Sequence, residues 1–363
     1  MKTDHLLIIR FSAMGDVAMT VPVVKSLAQQ YPDLRITVLS KPFARTLFDG
    51  LAPNVSFMGA DIKGEYHGIK GLNALYRRLT AKNFTAIADL HSILRSSYLR
   101  MRFNFDRYRV AHIDKHRAMR RALTATNNKQ LVQLPTPFEG YADVLAQLGY
   151  PVNINFTSIF PPEGGDLKLI APFINGKSKS GEAKALSKEE KAESLKPRGE
   201  KWIGIAPFAA HKGKIYPLEK MERVIELLLE REPNCRIFLF GGGAEERELL
   251  TQWESRHDRC TCALLGSLYN ELVLMSHLDT MVSMDSANMH LASLTGTRVV
   301  SVWGATHPFA GFMGWNQSSA DAVQTTLPCR PCSIFGNKPC LHGDYPCLNS
   351  ITPEEITERV LKR

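Results

Sequence analysis

An aspartate that follows an apolar run and opens a segment of helical period is the first residue in this chain placed to do chemistry. In "RFSAMGDVAMT", Asp16 comes just after the run from His5 to Phe11 and leads into "VAMTVPVVKSLAQQ". A helix N-terminus carries partial positive charge and unpaired N–H groups, and both keep a carboxylate ionised. Such an acid serves either as an N-cap or as a general base that takes a proton from a hydroxyl. The loop "SAMGD" has one glycine where G-x-G-x-x-G needs three, which argues against a nicotinamide site.

Three further loops could bind anions. "APFAAHKGKIYP" leaves an apolar run and reaches a helix starting near Pro217, with His211, Lys212 and Lys214 between, and cations in such a place suit a phosphate. "FLFGGGAEERELL" sets Gly241 and Gly242 before a helix, where exposed N–H groups either cradle phosphate or make a tight turn. "VSMDSANMHLASLTG" ends a strand at Asp285 and Ser286 and then presents Asn288 and His290. Ser286 and free N–H groups can hold a diphosphate and Asp285 can accept sugar hydroxyls, whereas capping and a core histidine are the plainer alternatives.

Four cysteines, Cys329, Cys332, Cys340 and Cys347, crowd one loop as C-x2-C-x7-C-x6-C, and Cys235, Cys260 and Cys262 are scattered. In a reducing compartment the cluster reads either as a structural zinc site or as a loop of free thiols shaped by its prolines and glycine. No D-x-D, H-E-x-x-H or G-x-S-x-G occurs, and no Gly-Lys-Ser/Thr follows the three glycines of "FLFGGGAEERELL", so metal-assisted transfer, serine hydrolysis and NTP hydrolysis lose support.

The elements that must position these residues read as a parallel α/β pattern. Strands are predicted at His5 to Phe11, Arg35 to Lys41, Asn54 to Met58, Phe84 to Leu90 and Tyr108 to Ile113, with a helix over Phe138 to Leu148. The polar stretch from residue 176 to 200, rich in Lys, Glu and Ser, reads as a linker. The pattern restarts with strands at Trp202 to Pro207, Arg236 to Phe240, Thr280 to Met284 and Arg298 to Trp303 and helices at Leu218 to Glu230 and Ala244 to Arg256. "TPEEITERVLKR" predicts a final helix capped by Thr352 with Pro353 and Glu355 behind it. The expected domains are residues 1–175 and 201–363, each doubly wound, with ligands beyond the carboxyl ends of the strands.

At 363 residues with 44% hydrophobic and 22% charged residues, the chain has an ordinary globular composition. Its net charge of +9 favours an anionic partner: nucleic acid, an anionic bilayer or a phosphorylated substrate. Much of the excess lies between Arg95 and Arg121, including Arg117 and Arg120. The first residues fit neither a signal peptide nor a membrane span, and no apolar run approaches the roughly 18 residues a span needs. The expectation is a cytoplasmic protein whose membrane contact is peripheral.

Taken together, the quoted loops, with "IADLHSILRSSYLR" and "VSVWGATHP", resemble the glycosyltransferase family 9 heptosyltransferases of bacterial lipopolysaccharide synthesis. The strongest pieces are Met14-Gly15-Asp16 and the Asp-Ser-x-x-x-His-Leu-Ala of residues 285 to 292, and even the cysteine-rich loop is similar to one in many members. The resemblance implies a GT-B fold of two Rossmann-like domains facing across a cleft, acceptor on the first and nucleotide sugar on the second. It implies inverting transfer of a heptose from ADP-heptose to a lipid A–Kdo type acceptor at the inner face of the inner membrane, without a catalytic metal. Carried onto this chain, Asp16 is the base and Lys214 steadies the leaving diphosphate. His211, Lys212, Gly241, Gly242, Asp285, Ser286, Asn288 and His290 would contact the donor. Arg10, Ser12, Met14, Gly15, His91, Arg95 and Arg120 would contact the acceptor. Ala209 and Ala210 depart from the family's hydroxyl-rich donor loop. Two other readings predict different behaviour: a basic, zinc-loop nucleic-acid binder would show a steep salt slope, and a non-catalytic glycan binder would bind donor without turnover.

Overall fold

The structure is a computed structural model and describes residues 4–175 and 195–362. The expected linker therefore lies mostly outside the described residues. The chain divides into two compact units, Met1–Thr157 with Pro308–Trp315, and Ser158–His307 with Asn316–Arg363. The division expected at residue 175 thus falls earlier, since the segment after Thr157 is tied to the second unit. There Ile159 N–H donates to Leu294 O at 2.9 Å and Gly165 N–H to Ser276 Oγ at 2.9 Å.

The first unit holds β1 (His5–Ile9), β2 (Arg35–Ser40), β3 (Val55–Gly59), β4 (Ala86–Asp89) and β5 (Arg109–His112), all parallel in the order β3-β2-β1-β4-β5. Every residue of β1 and β4 is buried, which is why they read as continuous apolar runs rather than alternating ones. Its helices are α1 (Met14–Ala18), α2 (Val21–Gln30), α3 (Gly68–Thr80), α4 (Leu94–Phe105), α5 (Arg117–Leu123) and α6 (Pro137–Gln147). The single helix expected after Asp16 is broken in two, with Pro22 in the first turn of α2, where a residue lacking an N–H is tolerated. One face of the sheet packs Leu7, Ile9, Leu39 and Ile87 against Leu75 and Leu79 of α3 and Leu99 and Phe103 of α4. In α6, Thr136 Oγ1 accepts from Glu139 N–H while the Glu139 carboxylate reaches back to Thr136 N–H at 2.6 Å.

The second unit carries α7 (Ala171–Asn175), β6 (Lys201–Ala206), α8 (Leu218–Arg231), β7 (Cys235–Leu239), α9 (Ala244–Arg256), β8 (Cys260–Cys262), α10 (Leu268–Met275), β9 (Thr280–Met284), α11 (Ala287–Leu294), β10 (Val299–Trp303), β11 (Ala322–Gln324), α12 (Pro346–Asn349) and α13 (Pro353–Leu361). Its parallel sheet runs β11-β10-β9-β6-β7-β8. Its two edge strands, β8 and β11, have three residues each and were not predicted; so short a run has no periodicity to detect. The terminal helix has the expected cap, with Thr352 Oγ1 accepting from Glu355 N–H at 3.2 Å and the Glu355 carboxylate from Thr352 N–H at 2.8 Å.

Each sheet has one place where the strand order reverses: between β1 and β4 in the first unit, and between β6 and β9 in the second. Open α/β sheets bind ligands beyond the strand ends at such points.

Candidate active site

In the first unit the loops after β1 and β4 meet at the reversal. Asp16 stands at the third position of α1, not at its cap; Ala13 takes the cap position and its N–H donates to Asp16 Oδ2 at 3.0 Å. The same oxygen lies 2.8 Å from Arg10 Nη2, and the Asp16 side chain is 31% exposed. Arg10 is buried and donates through Nη1 to Leu90 O at 2.7 Å, so its fork spans the strand end and the acid. Burial disfavours its charge, but Tyr141 and Asp16 outweigh that and hold its pKa above the usual value.

His91, at the end of β4, accepts from Phe11 N–H through Nδ1 at 3.3 Å. Burial and the Arg10 charge push its pKa down to about 3, so it is neutral and carries its proton on Nε2 as a donor. The loop is locked by Asp89, fully buried, whose Oδ1 accepts from His91 N–H at 3.0 Å and Ser92 N–H at 2.9 Å and whose Oδ2 meets Arg100 at 3.3 Å. Beneath Asp16, the buried Tyr141 of α6 has a phenol pushed up to about 12 by burial and donates to Asp16 O at 3.4 Å. Lys115 and Arg120 complete the cluster. Burial first, then neighbouring cations including Arg10, holds the Lys115 ammonium below its usual pKa. Arg120 is lowered by burial against the opposing pull of Asp16, and its guanidinium lies 5.3 Å from the Phe312 ring. Asp16 thus sits beside Arg10 and Arg120, with Lys115 near those two arginines and Asp89; Lys115 and Arg120 are made less basic by burial and by neighbouring cations, and an arriving anion would relieve that repulsion.

In the second unit the loops after β6 and β9 meet at the other reversal. Lys214 Nζ lies 3.3 Å from Asp285 Oδ2, with both side chains largely buried. Ser286 stands at the N-cap position of α11 without a side-chain cap bond, its Oγ 3.3 Å from Ser283 Oγ, and His290 is buried one turn into that helix. The arm that carries Lys214 is fixed by its glycines. A Cβ at Gly213 would stand 2.8 Å from Gly336 O, and one at Gly336 would stand 2.4 Å from Lys214 Cγ. Gly213 O also accepts from Ala305 N–H at 2.8 Å.

Residues 166–338 match the family model "Glycosyltransferase family 9 (heptosyltransferase)". The chain is 22% identical over 366 residues to lipopolysaccharide heptosyltransferase 1 of Campylobacter coli, covering 97% of each. It is 21% identical to the lipopolysaccharide core heptosyltransferase OpsX of Haemophilus influenzae over 84% of this chain and 80% of that protein. Among solved structures, E. coli heptosyltransferase WaaC with ADP aligns at TM-score 0.65 and 18% identity over 98% of both chains. A family 9 glycosyl transferase from Veillonella parvula aligns at TM-score 0.69 and 17% identity, covering 100% of this chain and 99% of that one.

Residues 166–338 match glycosyltransferase family 9, and the chain as a whole is similar to the heptosyltransferases. Its fold is GT-B, built from the two Rossmann-like units described above.

Not every residue expected in the transferase site is gathered there. Lys214, Asp285, Ser286 and His290 come together, with half-buried Asn288 beside them on α11, whereas His211 and Lys212 are exposed on the approach to Lys214. The glycine loop is already occupied: Gly242 and Gly243 N–H both donate to Glu246 Oε2, at 2.7 and 3.2 Å, so its tight turn caps α9 and offers no free cradle at Gly242. Gly241 packs instead, since a Cβ there would meet Leu250 at 2.9 Å. Ser12, Met14 and Gly15 form the turn around Asp16. Arg95 lines a groove on α4 with Ile93, Leu94 and Tyr98, and Arg117 and Arg121 are exposed on α5.

The four loop cysteines are free thiols, and among the described residues no group of three or more His, Cys, Asp or Glu is arranged to hold a metal ion. What ties the loop down is Arg330, 4% exposed, which donates to Gly304 O at 2.5 Å, Thr306 O at 2.9 Å, Thr325 O at 2.5 Å and Gln324 Oε1 at 2.8 Å. A planar cation with carbonyl partners on several segments cross-links this loop.

Sequence reasoning missed Lys115, Tyr141, Asp89 and Arg100. Only Asp89 had a legible signal, as the acid that closes the strand in "IADLHS".

Proposed function

We propose that this chain transfers a heptose from ADP-heptose to an inner-core lipopolysaccharide acceptor of the lipid A–Kdo type, with inversion and without a catalytic metal. The carrying observation is that each unit's strand reversal holds one half of the required chemistry: a carboxylate among cations in the first, and in the second a lysine paired with the aspartate that precedes α11. The relatives named for heptose transfer, and WaaC solved with ADP, supply the substrate class.

In this reading Arg10, Lys115 and Arg120 bind acceptor carboxylate or phosphate, and His91 donates from Nε2. Asp16 takes the proton of the acceptor hydroxyl as its oxygen bonds to the anomeric carbon. The bond from that carbon to the diphosphate breaks, the electron pair leaves with ADP, and Lys214 with the N–H groups of α11 stabilises the charge. Until donor arrives, Asp285 holds Lys214 in place; afterwards it is free to accept from sugar hydroxyls. No helix among the described residues is long and apolar enough to cross a membrane, in keeping with peripheral action at the inner face of the inner membrane.

The test is Asp16→Asn. It should lower kcat about 100- to 10,000-fold with ADP-heptose binding nearly unchanged, because general-base catalysis contributes factors of that size; Tm should fall as well, since the buried Arg10 loses its carboxylate partner. Transfer at the full rate in this variant would remove Asp16 from the mechanism, and tighter thermal stabilisation by UDP- or GDP-sugars than by ADP-heptose would overturn the donor.

A further inference from the structure

The fourth helix has two apolar faces, and only one is used by the core. Ser96, Leu99 and Phe103 of α4 are buried. On the opposite side Leu94 is 89% exposed, Met101 55% and Phe105 84%. At 100° per residue Leu94, Tyr98, Met101 and Phe105 fall within a sector of roughly 60°, a stripe running the length of the helix. At its N-terminal end the stripe continues onto α3, where Ile69 is 68% exposed, and the two helices enclose a groove of about 570 Å³ lined by Ile69, Leu72, Ile93, Leu94 and Tyr98 with Arg95 at its rim.

The charges carried by the two helices are of one sign, and the acid that follows α4, Asp106, accepts from the Tyr76 hydroxyl. Lys70, Arg77 and Arg78 on α3 and Arg95, Arg100 and Arg102 on α4 are the only ionisable groups of the two helices other than tyrosines, since neither contains Asp or Glu. Asp89 meets Arg100, and Glu65 lies 4.0 Å from Arg78. Arg102 stacks at 4.5 Å over Tyr76, which keeps its charge beside the stripe. A solvent-facing row of Leu, Met and Phe bordered by cations matches a helix that lies in the headgroup region of an anionic bilayer.

We propose that the stripe of α4, with Ile69 of α3, is the surface by which this transferase docks on an anionic membrane. Leu94, Met101 and Phe105 enter the acyl boundary, and Lys70, Arg77, Arg95 and Arg102 take the lipid phosphates. A row one side chain wide is too narrow for a stable protein interface, which needs about 800 Å² from each partner. A bilayer makes no such demand, because insertion and charge attraction add side chain by side chain. The proposal deepens the reading of the function, in that a lipid-anchored acceptor lies in the surface so engaged, but docking does not depend on the sugar.

The experiment is flotation of the full chain with vesicles of equal parts phosphatidylglycerol and phosphatidylcholine, and with phosphatidylcholine alone, beside transfer assays on a water-soluble acceptor fragment. Native protein should float with the anionic vesicles and be released by salt. The double variant Leu94→Glu with Phe105→Glu should lose binding by roughly tenfold or more, and Lys70→Glu with Arg77→Glu should lose it on the anionic vesicles, both with unchanged Tm and unchanged transfer to the soluble fragment. Failure of native protein to bind anionic vesicles, or native-like binding by Leu94→Glu with Phe105→Glu, would overturn the proposal. So would a double variant that abolished self-association in sedimentation and left flotation intact, since the stripe would then join copies of the chain. Transfer failing while flotation succeeds would count against the function alone.

Discussion

At the scale of single residues the chemistry rests on charges held in unusual company. His91 is kept neutral by burial and by Arg10, and that has a pH consequence of definite sign. Its folded pKa, about 3, lies below the unfolded 6.5, so its stabilising contribution is whole above pH 6.5 and is lost as pH falls towards the folded value. Between pH 6.5 and 4 the loss should be about 3 kcal/mol. His91→Asn keeps an acceptor for Phe11 N–H and removes the titration, so denaturant midpoints of variant and native protein should converge in acid if the assignment holds. Gly336 offers a second residue-scale prediction. A methyl group at Gly336 would collide with Lys214 Cγ, so Gly336→Ala should reduce kcat more than it raises donor KM. Its left-handed backbone, φ +72°, adds a stability loss of about 1 kcal/mol. Equal kcat in that variant would show that the cysteine-rich loop does not position the lysine.

Among the elements, caps decide where the site's helices begin. Removing the Thr136 hydroxyl of α6 should cost about 1 kcal/mol and loosen Tyr141 beneath Asp16, which a thermal melt of Thr136→Ala with a kinetic assay would read together. Glu246→Ala should release the Gly242 and Gly243 N–H groups and destabilise α9 by a similar amount, with donor affinity unchanged; a tighter donor complex would mean that this loop is a phosphate cradle after all. All strands but β8 and β11 were readable within a residue or two, the central ones as continuous apolar runs because they are buried on both faces, and α13 was readable because capping residues mark its start. The residues of the candidate site that the sequence singles out and the structure gathers at the strand reversals, Asp16, Lys214, Asp285, Ser286 and His290, all lie where a strand gives way to a helix. Lys115 and Tyr141 are not singled out, since their roles come from burial and from charges distant in sequence. At the glycine loop the structure shows the tight turn, with the Glu246 carboxylate turned back onto the Gly242 and Gly243 N–H groups.

For the molecule as a whole, one buried group in each unit contributes a pH dependence, and the two contributions have opposite sign. Burial pushes the Glu271 carboxyl of α10, in the second unit, up to about 7, against the pull of Arg247. A raised acid stabilises in its protonated form, so this contribution is whole below about pH 4.5 and is lost as pH rises to 7, by about 2 kcal/mol after allowance for partial exposure. The first unit, through His91, should therefore weaken in mild acid where the second gains. Amide exchange read separately in the two units at pH 5 and pH 7 should show the crossing, and Glu271→Gln should flatten it in the second unit only. The path of the chain bears on how these units are made. Trp315 packs on Phe138 with ring centroids 4.9 Å apart and donates to Phe156 O at 2.9 Å, and Leu134 N–H donates to Phe309 O at 2.8 Å. A nascent polypeptide thus cannot finish its first lobe until residue 315 has left the ribosome. By then the strands from Lys201 to Trp303 have already emerged, and the lobe begun earlier in translation is completed after most of the other is available to fold.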